Sequence, residues 1–365
     1  MGVPLLSQQD AERGHIADAI AFEANRGLIG YVRRPGAHAF GFCQMRRVGG
    51  TSPVSQLMAQ ASPVTTARPQ DREAALRLLF QHLETQERDR RVANALHMME
   101  LAKLDAEGLF IAHDNGVLCG SMFCMPAAGA SGLIWPPQTT CVENAPGVAD
   151  RLVNHTCDWL RPRGIKLAQA LLSANETFLA PPLERNGFRH VTALWYMRRN
   201  MGVAAPSMEQ RRLTLQAYDP NDPSVFSRTL LTTYEKTRDC PEVSGVRSIQ
   251  EILDGHSADA GSIFSHWWLA VEGEQPVGVL LANESPEWES WEIAYIGIVP
   301  DARGRGLGRE LMIRALVEAE ASEVRQLTLC VDVRNSPAME LYRSLGFDHY
   351  DTREVYLAVL DTKHS

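Results

Sequence analysis

Leu327-Thr328-Leu329-Cys330-Val331-Asp332-Val333 alternates apolar and smaller or polar side chains, and it runs into Arg334-Asn335-Ser336-Pro337-Ala338-Met339-Glu340-Leu341-Tyr342-Arg343-Ser344-Leu345-Gly346-Phe347. A period of two over seven residues predicts a strand with one apolar face. Upstream, Trp291-Glu292-Ile293-Ala294-Tyr295-Ile296-Gly297-Ile298-Val299-Pro300 reads as a second strand. It meets a glycine- and arginine-rich turn, Asp301-Ala302-Arg303-Gly304-Arg305-Gly306-Leu307-Gly308. From Arg309 onward a helix is predicted, because Leu307, Leu311, Ala315 and Ala319 recur at helical spacing.

Strand, glycine turn and helix in that order aim unpaired backbone N–H groups at an anion, since the first turn of a helix has no internal acceptors for them. Glycines permit positive φ and close backbone approach, and arginines supply charge and forked donors suited to phosphates. The dinucleotide fingerprint would need glycine where Arg309 stands, and the Gly-Lys-Ser/Thr of a Walker loop is missing. The turn therefore suits a pyrophosphate held by some other class of fold. A plain solvated basic loop is the alternative.

Outside this region the chain repeats itself. Leu109-Phe110-Ile111-Ala112-His113-Asp114-Asn115-Gly116-Val117-Leu118-Cys119-Gly120 has the form of strand, Asn-Gly turn and strand, and Trp268 to Gly278 has the same form. Each half then reaches a Gly-Phe pair, with Gly187 following Gly120 by 67 residues and Gly346 following Gly278 by 68. Two copies of one α/β unit are expected: residues 63–200, a linker over 201–212, and residues 213–365. Residues 1–62 form an extension of unknown role. Pro69-Gln70-Asp71 before Ala74, Leu76, Leu78, Leu79 and Leu83 predicts a capped amphipathic helix near the start of the first copy.

The Arg-x-x-Gly-x-Gly turn over Arg303–Gly308 and the downstream Asn-x-x-Ala-x-x-Leu-Tyr-x-x-Leu-Gly-Phe over Asn335–Phe347 resemble the GNAT acetyltransferase superfamily. The resemblance covers residues 210–360 directly and residues 64–200 through the repeat. It implies an α/β (α+β) fold with a mixed, mostly antiparallel sheet, built as tandem GNAT-like domains of which the first is degenerate. A tandem layout with a decayed first copy is similar to that of the mycothiol synthases, whose acceptor is a cysteinyl sugar conjugate; no residue outside the shared motifs identifies that acceptor here.

The same resemblance implies acetyl-CoA as co-substrate. The strand ending at Val299 would splay from its neighbour, and the pantetheine arm would lie in the gap against Ile296, Gly297 and Ile298. Backbone N–H groups of Arg303, Gly304, Arg305, Gly306, Leu307 and Gly308 would hold the pyrophosphate, with Asn335 near the pantetheine end. Tyr342 would sit beside the thioester sulfur as general acid, or pack there as a core tyrosine. Glu292 is the candidate base, and Glu287 and Glu289 are alternatives in a looped segment.

Chemistry asks for such parts. An amine with a pKa of about 10 must lose a proton, the tetrahedral oxyanion needs a fixed donor such as the Ile298 N–H, and a departing thiolate is expelled more readily when protonated. In the stretch Tyr234–Val243, Asp239 and Glu242 are candidate substrate-binding residues for a cationic amine, or simply solvated charges. His266, Trp267 and Trp268 are candidate walls of the pocket, although the hairpin context favours core packing for at least one tryptophan. The first copy lacks the machinery: Glu143-Asn144-Ala145-Pro146-Gly147-Val148-Ala149 stands where the arginine turn should be, and Leu183 takes the place of Tyr342. That half is expected to serve as a scaffold or acceptor-side wall.

Bulk properties agree. At 365 residues, 45% hydrophobic and 22% charged, the chain suits two globular domains. A net charge of −8 argues against nucleic acid or an anionic membrane as partner. Seven scattered cysteines show no metal-ligand spacing, so free thiols in a reducing, cytoplasmic setting and no metal are expected. The expectation is an N-acetyltransferase for an amine, taken as a small molecule. Acetylation of a protein N-terminus or lysine, and a non-catalytic acyl-CoA sensor, are the alternatives.

Overall fold

A computed structural model describes residues 63–140, 144–207, 211–260 and 264–360; the extension over residues 1–62 and Glu143 lie outside the described residues. The described chain divides into two compact units, one of residues 63–125 and 135–156 and the other of residues 126–134 and 157–360.

In chain order come β1 (Thr65–Thr66), α1 (Arg72–Leu79), α2 (Thr85–Glu100), β2 (Leu109–Asp114) and β3 (Val117–Ala127), then β4 (Ser131–Thr139) and α3 (Ala145–Leu160), of which residues 131–134 and 157–160 belong to the second unit. Helix α1 buries Leu76, Leu78 and Leu79 of the predicted face, but Ala75 is buried in place of the exposed Ala74, and the helix ends before Leu83. The expected cap is different: the Asp71 carboxylate makes no cap bond and instead accepts from Arg68 Nε at 2.8 Å. Strands β2 and β3 form an antiparallel hairpin whose turn puts Asn115 at φ +50° and Gly116 at φ +80°. Both positive angles are what a two-residue hairpin with native twist requires.

The second unit adds β5 (Leu167–Leu172), α4 (Pro181–Arg185), β6 (Arg189–Asn200), β7 (Leu213–Ala217), α5 (Ser224–Tyr234) and α6 (Ile249–Ala260). It continues with β8 (Trp267–Glu272), β9 (Gln275–Ser285), β10 (Ser290–Ile298), α7 (Leu307–Ala321), β11 (Gln326–Asp332), α8 (Ser336–Ser344) and β12 (Asp348–Val359). Its strands run in the order β4-β5-β12-β6-β11-β10-β9-β8-β7. Only β4–β5 and β10–β11 are parallel among the registered pairs of this unit, so the sheet is mixed and mostly antiparallel.

The repeat survives in the backbone. In β2–β3 the register slips after Ala112↔Gly120, and in β8–β9 it slips after Ala270↔Gly278, 158 positions further on in both strands. The parallel pairs begin at Ser131↔Leu167 and at Ser290↔Gln326, 159 positions apart.

The last strand of each copy is exchanged. Strand β6 pairs with β11 of the second copy, and β12 pairs with β5 of the first. The two exchanged strands also pair with each other, skipping Val191 on one and Tyr350 on the other, again 159 apart. Leu194 faces its own counterpart Arg353 across this pair, which places a local two-fold axis between them. The compact units part elsewhere than at residues 201–212, because β5 and β6 are held by strands that follow that stretch.

Each face of the β7–β11 sheet has its own core. On one face Leu307, Leu311, Ala315 and Leu316 of α7 pack with Trp291, Ile293, Leu327, Leu329 and Val331. On the other, Phe226 and Leu230 of α5 and Ile252 and Leu253 of α6 pack with Trp267, Leu269, Val279 and Leu281. Trp267 and Trp268 thus both belong to cores, and His266 lies 3.7 Å from the Trp291 ring with its Nε2 2.6 Å from Glu284; packing explains all three residues proposed as pocket walls. No helix among the described residues is long and apolar enough to cross a membrane.

Candidate active site

Strand β10 pairs with β11 only from Ser290↔Gln326 to Ile293↔Leu329. A bulge at Ala294 follows, and from Tyr295 to Ile298 the strand stays registered with β9 alone. The two strands consequently part, as the sequence resemblance implies. Backbone direction alternates along a strand. Because the Val299 N–H donates to Val277 on the β9 side at 2.9 Å, the polar groups of Ile298 and Ile296 turn toward the gap. The Ile298 carbonyl there accepts from Arg303 Nε at 2.9 Å. Gly297 faces the other way from α7, and a Cβ on it would stand 2.6 Å from Thr233 Cβ and 2.7 Å from the Tyr295 hydroxyl. Only glycine lets α5 approach so closely.

The turn after β10 has Gly304 at φ +74° and Gly306 at φ +80°, the latter being the N-cap of α7. No side chain caps this helix, so the donors of its first turn are left for an external acceptor. Nothing lies within 4 Å of a Cβ built on Gly304, and only Arg212 Nη2 approaches one on Gly306, at 3.5 Å. A glycine-lined cradle of backbone amides fits a diphosphate.

The arginine side chains of the turn also have partners within the protein. Arg303 gives its guanidinium to the carbonyls of Thr233 (2.8 Å), Glu235 (2.9 Å) and Lys236 (3.2 Å), closing the C-terminal end of α5. Arg305 is bidentate on Glu272, at 2.9 and 2.7 Å. Arg309 donates to Ser344 Oγ at 2.6 Å. Buried Glu310 ties down the approach to β7, accepting from the Arg212 and Leu213 N–H groups at 2.8 Å each.

Asn335 is the N-cap of α8 without a side-chain cap bond, and its N–H donates to the Asp332 carbonyl at 2.8 Å. Tyr342, on the same helix, is 6% exposed, and its ring centroid lies 5.9 Å from that of Phe347. Its hydroxyl makes no hydrogen bond to a described residue. Burial, then the charges of Asp239 and Cys330, push the phenol well above its ordinary range, so it holds its proton.

Glu292 stands opposite Thr328 on β11 and Asn283 on β9. Strand parity puts Glu292, Thr328, Cys330 and Tyr196 on one face, Tyr196 being registered with Cys330. The Glu292 charge acts on Tyr196, Cys330 and Tyr350. Of the alternative bases, Glu289 is ion-paired with Arg325, and nothing is described of the Glu287 side chain.

The loop after α5 reaches the end of β11, where an ionic network missing from the sequence reading appears. Asp332 is fully buried; it accepts from Thr192 Oγ1 (2.6 Å), the Cys240 N–H (3.0 Å) and Arg334 Nη2 (2.6 Å). Burial alone would raise this carboxyl, but hydrogen bonds from Arg334 and Thr192 hold it at about 2. Arg334 also takes both oxygens of Glu242, at 2.6 and 2.9 Å, and this pairing depresses the Glu242 carboxyl. Glu242 is thus an ion-pair partner of Arg334. Asp239 accepts from the Asp332 N–H at 3.2 Å, and burial pushes its carboxyl up to about 6. The ligand atoms of Asp239, Cys240 and Asp332 lie within 4.8 Å of one another, but Arg334 already supplies the cation of that cluster.

Across the local axis the first copy offers a different surface. The counterparts of Glu292, Cys330 and Tyr196, 159 positions away, are Leu133, Leu171 and Val355. An apolar face replaces the polar one, beside a small cavity of about 50 Å³ lined by Gln169, Val355, Leu357, Cys240 and Arg247.

Residues 231–347 match the acetyltransferase (GNAT) family. Among curated proteins, a mycothiol acetyltransferase of Actinosynnema mirum is 28% identical over 170 residues, covering 46% of this chain and 55% of the relative. Another, from Nocardioides sp., is 27% identical over 178 residues, covering 46% of this chain and 60% of the relative. The chain thus aligns with somewhat over half the length of these relatives. A GCN5-related N-acetyltransferase from Sphaerobacter thermophilus has a similar fold, with a TM-score of 0.54 at 19% identity, covering 81% of this chain and 95% of that one. Parted strands, a glycine-capped helix and a buried tyrosine all occur here in the segment that matches the acetyltransferase (GNAT) family.

Proposed function

We propose that the chain transfers an acetyl group from acetyl-CoA to the nitrogen of a small-molecule amine, directly and without a covalent enzyme intermediate. The observation that supports this reading is the parting of β10 from β11 just before an uncapped helix N-terminus at Gly306, in the segment that also carries the buried, protonated Tyr342. When bound, the coenzyme supplies an activated thioester. The cradle amides hold its diphosphate at the positive end of α7, and Ile296, Gly297 and Ile298 offer backbone groups to its amide-bearing arm, with Asn335 flanking.

The Ile298 N–H is aimed where carbonyl oxygen charge develops, a placement that does not need to reorganise during reaction. Glu292 removes the proton of the incoming ammonium, directly or through water, and Tyr342 returns a proton to the departing sulfur. Asp239, close enough to Tyr342 for its charge to be felt there, is the remaining carboxylate for recognising a cationic amine. Amines of the kind used by mycothiol acetyltransferases are the first to assay, since curated relatives carry that activity.

The test is thioester consumption with a panel of amines, comparing the native chain with Tyr342→Phe. General-acid loss is expected to lower kcat by about 100-fold with little change in KM for acetyl-CoA. Tight coenzyme binding without turnover on any amine would instead favour an acyl-CoA sensor.

A further inference from the structure

Tyr196 is 4% exposed, and its hydroxyl is a fully buried atom without a hydrogen-bond partner among the described residues. It lies on β6, the exchanged strand of the first copy, and stands opposite Cys330 on the face shared with Glu292. Its ring centroid is 6.3 Å from that of Tyr350, over which the Arg198 guanidinium sits at 5.3 Å. Burying a phenol oxygen with nothing to bond costs stability that an apolar ring would not lose. A place on the same sheet face as the candidate base, whose charge reaches it, gives that cost a purpose.

Resting on the acetyltransferase reading above, we propose that Tyr196 is a specificity-determining residue whose hydroxyl donates to an oxygen of the acceptor near its nucleophilic nitrogen. The first copy thereby contributes a recognition group to the second copy's site through the exchanged strand. Three features support this assignment. Burial, followed by the charge of Cys330, holds the phenol well above its ordinary range, so it is a donor throughout the physiological span. The neighbouring Glu292 carboxylate supplies the complementary acceptor for the amine itself. The counterpart across the local axis, Val355, has no polar atom, so the hydroxyl is not required by strand exchange as such.

The experiment pairs amines that differ in one oxygen, ethanolamine against propylamine and glycinamide against isobutylamine, and compares the native chain with Tyr196→Phe. In the native chain the oxygen-bearing member should have the higher kcat/KM. Tyr196→Phe should lower kcat/KM for that member about tenfold and leave the alkylamine and the KM for acetyl-CoA unchanged, so that the preference vanishes. Thermal stability of the free protein should stay level or rise, because an unpartnered polar atom has been removed. An equal loss for both amines, an intact preference, or a fall in stability would overturn the proposal. If the native chain consumed acetyl-CoA with none of the four, the acetyltransferase reading would fail together with this one.

Discussion

Arg303 Nη2 donates to the Thr233 carbonyl at 2.8 Å, so the first arginine of the phosphate turn is the clamp on the end of helix α5. With Glu235, Lys236 and Ile298 it serves four backbone carbonyls. The clamp links the coenzyme cradle to the loop that carries Asp239. Arg303→Ala should lower unfolding free energy by about 1–2 kcal/mol in urea titration, and Arg303→Lys should not rescue it, since an ammonium cannot bridge several carbonyls as a planar fork does. Acceptor KM should rise more than acetyl-CoA KM. A loss confined to coenzyme affinity, with stability intact, would return Arg303 to the phosphate.

Gly306→Asp puts a carboxylate at the head of α7, at a residue held at φ +80°. Arg212 Nη2 lies 3.5 Å from the new Cβ and offers the charge a partner, so the fold should persist. Coenzyme affinity should nevertheless fall on the order of 100-fold or more, because like charges then meet where the helix end favours an anion. Calorimetric titration with CoA decides it. Unchanged affinity would remove the amide cradle from the site.

Local signals in the sequence were legible because their physics is local. Asn115-Gly116 marks the β2–β3 turn, the period of two marks β11, and glycines 304 and 306 sit at positive φ where a strand turns into a helix. The gap beside Ile298 and the buried Tyr342 followed from family resemblance, and the register of β10 agrees with it. Partner choice was not legible. An alternating strand such as β6 reads the same whether it closes its own copy or the other, so the exchange that brings Tyr196 beside Cys330 leaves no trace in residues 189–200. The Arg303 clamp was not legible either, because its carbonyl partners stand up to 70 residues away. Nor was the Glu242 ion pair, its partner Arg334 being 92 residues distant.

Arg334 is the cation of a buried carboxylate, and that sets the cost of removing it. Asp332 has no exposure and keeps its charge through Arg334, Thr192 and the Cys240 N–H. Arg334→Ala would leave the charge uncompensated and should cost about 3–5 kcal/mol, read as a fall in urea midpoint. Glu242→Gln keeps that pairing and loses only the outer ion pair, so about 1 kcal/mol or less is expected. If both variants lost the same stability, Arg334 would be acting through Glu242 and not through Asp332.

Asp239 makes stability depend on pH in the sense opposite to most carboxylates. Burial raises its folded-state value to about 6, above the roughly 3.9 of an unfolded aspartate. Between those values the folded chain binds more protons than the unfolded one. Its contribution is therefore greatest below about pH 4, falls as pH rises toward 6, and is flat above that. Asp332, held at about 2, acts in the reverse direction and only below about pH 4, so the two windows separate. Asp239→Asn keeps an oxygen for the Asp332 N–H, removes the titration, and should raise stability at pH 7.5 by about 1–2 kcal/mol with little effect at pH 4.5. Urea unfolding of both proteins at these two pH values measures it. An aspartate that sat solvated would give the asparagine variant the same slope as the native chain, and the raised Asp239 carboxyl would have to be abandoned.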